Sequence, residues 1–339
     1  MRRYCNIVVL SFVLLATGCG RNVKQYRIFG EAQGSYYTVV YYDTQHRNIQ
    51  GSVDSLLADF DLTASLWVDN SMIRRVNAGC DSVVNEMFAD MIEKSNQIHD
   101  LTGGCFDCTI GAIVNAWGFG FRTSVFPRES LLDSLKRFSG QRVAVERDSR
   151  GNYIVHKPHP KTEIDLNAIA QGYSADLVAE WMTNNGIDNF LVDIGGEVVA
   201  KGCKSGGKPW VVGVERPADS MNAMPEVQIS VNLTDMAIVT SGSYRKYYEK
   251  DGVRYSHTID PVTGHPVEHT LLSVTVIDST SWRADAMATA FMVMGRDRAL
   301  KFMSEHPEAL PTDAVYFISS NGKGFDSYAT EGFKRYMRE

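Results

Sequence analysis

Between residues 189 and 240 the chain reads as five short strands in succession, at 189–194, 197–202, 209–215, 227–232 and 236–240. Parallel neighbours need a crossover of a dozen or more residues, usually a helix, and no gap here carries a helical pattern. The strands therefore pair mostly antiparallel, which selects an α+β fold over a doubly wound parallel sheet. Residues 26–30 and 31–43 extend the pattern as two strands broken at Gly34, with Val39 and Tyr41 alternating against Thr38, Val40 and Tyr42. Further strands are expected at 142–147, 152–156, 314–318 and 324–328.

Helices fit the remaining periodic stretches. Residues 49–61 and 86–101 are amphipathic; in the second, Met87, Met91, Ile92, Ser95 and Ile98 share a face and Thr102-Gly103-Gly104 ends it. A polar helix is expected at 128–138, opened by Pro127. Asp165 to Asn185 reads as a turn plus a helix with Ala175, Val178, Ala179 and Met182 inward, and 282–305 contains a long helix. No Pro/Gly/Ser linker and no fixed-period repeat divides the chain, so residues 28–335 are expected to form a single catalytic domain.

The first 20 residues differ from the rest. Arg2 and Arg3 precede the apolar run 7–17, which is too short for a membrane-spanning helix and suits a signal segment. Gly18-Cys19 completes a lipoprotein-type cleavage box. Residues 1–18 are expected to be a signal peptide, Cys19 the lipidated terminus and 19–27 a tether, with a plain secretory signal as the alternative. Removing two Arg and no acid from a chain of net charge −6 leaves roughly −8, so a lipid rather than charge would do the anchoring. Neither sign of charge runs in blocks, which argues against nucleic-acid binding through a basic face.

Three segments carry chemistry. In 165–173, DLNAIAQGY, an acid precedes small residues entering a helix, which suits either anion binding at helix-entry amides or a plain N-cap. In 284–291, ADAMATAF, Asp285 and Thr289 share one helix face. They can both reach a hard cation such as Mg²⁺, or the Thr can bond its own backbone. In 240–266, Thr240, Ser241, Gly242 and Ser243 are short donors at a strand end, and Arg245 follows on a helical turn with Tyr244, Tyr247 and Tyr248. His257 lies in SHTID, as a general base or as a strand-end His bonded to a carbonyl, while Thr263 to Pro266 is turn chemistry. Cys105-Phe106-Asp107-Cys108 is a lone C-x-x-C. With no second pair to complete a zinc site, it reads as buried small thiols or as a redox pair.

Together and in this order, DLNAIAQGY, FLVDIGGEV (190–198), WVVGVERP (210–217), TSGSYRKYY (240–248), SHTIDPVTGHP (256–266), SVTVI (273–277) and ADAMATAFMVMG (284–295) resemble the FAD:protein FMN transferases, the ApbE family. The resemblance spans about residues 28–335. It implies an α+β, T-fold-like architecture with two lobes around an FAD cleft, in a lipoprotein of the bacterial cell envelope facing the periplasm. It also implies Mg²⁺-dependent transfer of FMN from FAD to a Thr or Ser hydroxyl of a target protein, with AMP released. The target it implies is a membrane redox subunit.

Carried over by residue, the resemblance implies Asp285, Thr289 and the Ala168 carbonyl as Mg²⁺ ligands. Asp165 and Gln171 become flavin-nucleotide contacts, and Cys105, Phe106, Asp107 and Ile259 line the cofactor. Trp67 supplies an aromatic contact to FAD, and His257 deprotonates the acceptor. Gln33, in Gln33-Gly34-Ser35, stands where the family places a Met against the flavin. Three rivals share parts of this set. Water in place of the acceptor hydroxyl gives an FAD pyrophosphatase, loss of turnover gives a flavin-binding lipoprotein, and reliance on Cys105 and Cys108 gives a thiol-redox protein.

Overall fold

The structure is a computed structural model that describes residues 23–120, 126–217, 226–243, 247–250, 253–322 and 324–338. Cys19, the expected signal segment, Tyr244 and Arg245 lie outside the described residues. In chain order, β1 (Lys24–Ala32) and β2 (Ser35–Asp43) lead to α1 (Gln50–Ala64), α2 (Met72–Ala78), β3 (Val83–Val84) and α3 (Glu86–Leu101). Next come α4 (Gly111–Trp117), α5 (Glu129–Lys136), β4 (Ala144–Arg147), β5 (Tyr153–His156) and α6 (Asn167–Asn184). The strands β6 (Phe190–Ile194), β7 (Glu197–Lys201), β8 (Trp210–Glu215), β9 (Val227–Leu233), β10 (Met236–Gly242), β11 (Tyr247–Lys250), β12 (Val253–Ser256) and β13 (Leu271–Asp278) follow. The chain closes with α7 (Ser281–Met294), α8 (Arg296–Glu305), β14 (Val315–Ser320), β15 (Phe325–Ala329) and α9 (Glu331–Lys334).

Among the described residues, eight strands form one sheet in the order β1-β2-β6-β7-β10-β13-β14-β15. Every neighbouring pair in it is antiparallel, which makes the fold α+β. The β1–β2 hairpin turns at Gln33 and Gly34, both at positive φ (55° and 69°), the backbone a two-residue hairpin loop demands. Period-two alternation places Tyr37, Val39 and Tyr41 in the core on one face, with α1 and α6. Val40 and Tyr42 face the other side, where the β8–β9 hairpin packs around Trp210, Val231 and Leu233. A three-stranded sheet, β3-β5-β4, lies apart from the main one, and α4 and α5 pack around Ile113, Trp117, Leu132 and Ile259.

Four expectations are corrected. The stretch 282–305 is two helices, because Gly295 at φ 73° and ψ 162° breaks the ladder between α7 and α8. Tyr247 and Tyr248 belong to a β-hairpin, β11–β12, and not to a helical turn. The sheet begins earlier than the expected tether end, with Lys24 paired to Asp43. In α3 the apolar face is rotated slightly: Phe88 is fully buried and Met87 only half-buried.

The helix α7 is the centre of the molecule, with eleven of its fourteen residues buried; a helix apolar all round belongs inside a protein. It crosses α6 at Gly172, where a Cβ would stand 2.5 Å from the Ser281 carbonyl oxygen and 2.8 Å from the Asp285 Cβ. Gly172→Ala is therefore expected to push the two helices apart and to cost about 1–3 kcal/mol, read as a lower urea midpoint at unchanged slope.

Candidate active site

Asp285 sits in the middle of the buried helix with 6% exposure. Its Oδ2 accepts a hydrogen bond from the Gly172 backbone N–H at 3.1 Å. In a regular helix that amide serves the carbonyl four residues earlier, which is Ala168. The Ala168 carbonyl and the Asp285 carboxylate are thus brought to one turn of α6. Burial pushes Asp285 up to about 7, the Gly172 N–H pulls it back, and the Asp176 charge raises it. Asp176 reaches from α6 to accept from the Ser281 and Trp282 amides at 3.0 and 2.8 Å, capping α7 where its own N-cap residue, Thr280, supplies no side-chain bond.

One helical turn beyond Asp285, the Thr289 hydroxyl meets the Ser241 hydroxyl at 3.3 Å, at the end of β10. Of the other short donors there, Thr240 pairs with Thr275 at 2.8 Å and Ser243 faces the Leu271 and Leu272 carbonyls. The third wall is the β6–β7 turn. A Cβ on Gly195 would stand 2.6 Å from Gln171 Nε2, 3.2 Å from Ser35 Oγ and 3.4 Å from Glu197 Oε2. The absent side chain is what lets Gln171, Ser35 and Glu197 converge, and the same turn carries Gly195 at φ 66°. Glu197 is buried, and its carboxyl is pushed well up by burial first, then by the charges of Asp285 and Asp193.

Asp165 opens α6. Its backbone N–H donates to the Cys108 carbonyl at 2.8 Å, and its Oδ1 accepts from the Asn167 amide at 2.9 Å, an Asx turn. Burial raises it to about 6, against the Asn167 bond and with the Glu163 charge. Cys105, Phe106 and Asp107 turn their side chains inward, and Cys105, Phe106 and Cys108 join the main core. Asp107 is already fully engaged, accepting from Thr109 and from the Gly140 amide at 2.7–2.8 Å. Its carboxylate is thereby committed to holding the 138–140 loop, so the expected lining role of this segment is not one of open side chains. Cys105 and Cys108 are buried free thiols, each pushed up chiefly by burial, the opposite of what thiol-redox chemistry needs.

His257 follows β12 with its ring edge-on to Phe119 at 6.3 Å. The loop that carries it is held by Trp117 of α4, which stacks on Tyr255 at 6.0 Å and donates from Nε1 to the Gly264 carbonyl at 2.8 Å. Ile259 is buried against Trp117 and pairs with Pro266. His265 lies in the turn, beside Glu129 at 3.3 Å. Trp67 is 59% exposed on the loop after α1. Gln33 is at the β1–β2 turn, with a buried Nε2 that has no protein partner. A cavity of about 390 Å³ lies around Lys94, Tyr173, Asp176 and Trp282, and none of the residues expected to hold the metal or the nucleotide, or to act as base, lines it.

Sequence reasoning missed Glu197, Ser35, Asp176 and the role of Gly172. The nearest signal for Glu197 was its place directly after Gly195-Gly196, at the start of an otherwise apolar strand.

The fold and site together define an α+β protein whose buried carboxyl and hydroxyl groups gather at one end of an antiparallel sheet. The chain belongs to the ApbE family, whose model matches residues 33–312. It is 33% identical over 341 residues to the FAD:protein FMN transferase of Vibrio cholerae, covering 98% of both chains. It is 39% identical over 285 residues to the Escherichia coli K12 protein of the same name, covering 83% of this chain and 79% of that one. The solved structure of the flavin transferase ApbE from Vibrio cholerae superposes with a TM-score of 0.79 at 31% identity, covering 93% of this chain and 99% of that one.

Asp165 gives a pH test. A carboxyl raised in the folded state favours folding when protonated, and that contribution is lost as pH rises through about 6. Between pH 4 and 7.5 the metal-free protein should therefore lose on the order of 2–3 kcal/mol more stability than Asp165→Asn, which keeps the acceptor for Asn167. Urea melts of both proteins at the two pH values check this.

Proposed function

We propose that this chain transfers FMN from FAD to a hydroxyl group of a target protein. The observation that carries the reading is the meeting of DLNAIAQGY and ADAMATAF at the Gly172–Asp285 hydrogen bond. It turns two distant segments into one oxygen-rich wall. Family membership supplies the reaction class, since relatives along nearly the whole chain are named for it.

The donor set fits a small hard cation. Asp285, the Thr289 hydroxyl and the Ala168 carbonyl are all oxygen donors, and Glu197 adds a buried carboxylate oxygen with no hydrogen-bond partner. Among the described residues no three His, Cys, Asp or Glu side chains form a cluster. Mg²⁺ sites of one or two carboxylates completed by substrate phosphates need none. When bound, Mg²⁺ neutralises charge on the diphosphate.

The remaining work belongs to the chain. Gln171 and the Asp165 turn hold the nucleotide at the start of α6, and the Gly195 turn lets it approach the backbone. His257 takes the proton from the acceptor Thr as its oxygen attacks the FMN phosphorus. The P–O bond to AMP breaks, and AMP leaves with the bonding electrons. The loop held by Trp117 carries that base, His257. The N-terminal sequence supports a lipid anchor at Cys19 and a site facing the periplasm, where a membrane redox subunit would be the acceptor.

Incubation with FAD, Mg²⁺ and candidate acceptor domains, followed by in-gel flavin fluorescence, tests the reading. A fluorescent acceptor band with AMP released is the expected result; FMN and AMP without a labelled protein would make water the acceptor. His257→Ala should keep FAD affinity and lose roughly 10²–10⁴-fold in transfer rate, the usual worth of a general base. Asp285→Ala should lose both Mg²⁺ dependence and labelling. Full labelling by either variant would remove the role given to that residue.

A further inference from the structure

Glu197 is the first residue of β7, and it is 8% exposed. Among the described residues its Oε2 is buried without a hydrogen-bond partner. A buried carboxylate oxygen left without a donor is costly, and such a group persists where a ligand satisfies it. The direction of that oxygen is set by its surroundings. It lies 3.4 Å from the point a Gly195 Cβ would occupy, and Gln171 Nε2 lies 2.6 Å from the same point. Gln171 directly precedes Gly172, whose amide holds Asp285 at 3.1 Å. Glu197 Oε2 and Gln171 Nε2 therefore flank the same small space at Gly195, close enough to Asp285 for its charge to act on the Glu197 carboxyl.

We propose that Glu197 is the second carboxylate of the cation site, facing Asp285 from the sheet side. This rests on the reading that Asp285, Thr289 and the Ala168 carbonyl hold a divalent cation. It adds a residue from a different element: Asp285 and Thr289 come from α7, Ala168 from α6 and Glu197 from the sheet. A cation held this way ties α6 and α7 to the β6–β7 turn, so Glu197 is a positioning residue that fixes the metal against the sheet. Facing the carboxylate with Gly195 has a reason in this arrangement, because any side chain there would occupy the space the oxygen faces.

The test uses the purified full chain with Mn²⁺ as the probe. Mn²⁺ binding is read by the electron paramagnetic resonance signal of the free ion in the presence of FAD. FAD affinity in EDTA is read separately by flavin fluorescence. Glu197→Gln, which keeps shape and removes charge, should weaken Mn²⁺ binding roughly 10- to 100-fold while leaving metal-free FAD affinity unchanged. It should also fold at least as stably as the parent, because an amide of the same shape lacks the desolvation cost that pushes the Glu197 carboxyl up. Glu197→Asp should fall between the two in Mn²⁺ affinity. Parent-like Mn²⁺ affinity in Glu197→Gln overturns the assignment and leaves the Asp285 site standing. An equal loss of metal-free FAD affinity also overturns it, by making Glu197 part of the nucleotide pocket. Absence of Mn²⁺ binding by the parent would overturn the cation reading and this assignment together.

Discussion

The backbone N–H of Gly172 and the carboxylate of Asp285 meet where two helices touch closely enough to exclude a methyl group. Much else in the molecule follows from that contact. Close approach is allowed by Gly172 on α6, which has no Cβ to meet the Ser281 carbonyl and Asp285 Cβ of α7. The apolar residues around α7 bury it, and burial is what makes the Asp285 charge expensive. The cap from Asp176 sets the start of α7, and one more turn of the helix brings Thr289 to the end of β10. The geometry of the site is thus fixed by rigid elements, with the sheet as base and the helix crossing as hinge pin.

The electrostatic character of this end of the sheet is one-sided. Asp165, Asp193, Glu197 and Asp285 are all raised by burial, and each feels another acid. Acids gathered out of water cost stability, and such clusters of raised carboxyls are characteristic of functional sites. Their partners here are backbone amides, from Asn167, Gly196 and Gly172. Those amides fix each carboxyl's direction without cancelling its charge, which suits a region awaiting positive charge.

Much of the fold was legible in the sequence, for identifiable reasons. Consecutive strands without helical gaps could pair only antiparallel, and the boundaries of α3 matched because Asn85 and Thr102 bracket a clean periodic run. What escaped had no local signature. The 282–305 stretch is helical on both sides of Gly295, and only the backbone angles at that residue part it into two helices. The aromatic cluster after Ser243 suggested a helical turn, whereas Tyr and Val at strand spacing form a hairpin. In the site, Asp285, Thr289 and Asp165 stood out because polar groups in small-residue runs are conspicuous. Glu197 did not, because its burial is created by strands and a turn contributed from elsewhere in the chain. The inward direction of the Cys105 to Asp107 side chains was illegible for the same reason: it is decided by contacts with the 138–140 loop and the core.

The loop that carries His257 is joined to the rest differently from the residues around Asp285. It is held by ring packing on Trp117 and Phe119, by the Trp117 bond to the Gly264 carbonyl and by the His265–Glu129 contact, in a small cluster separate from the main core. The two sides of the site are therefore tied to the fold in different ways. The wall of α6 and α7 is set by a buried helix crossing, whereas His257 sits on a loop anchored through an aromatic side chain. A change at Trp117 would reach that loop while leaving the helix crossing intact.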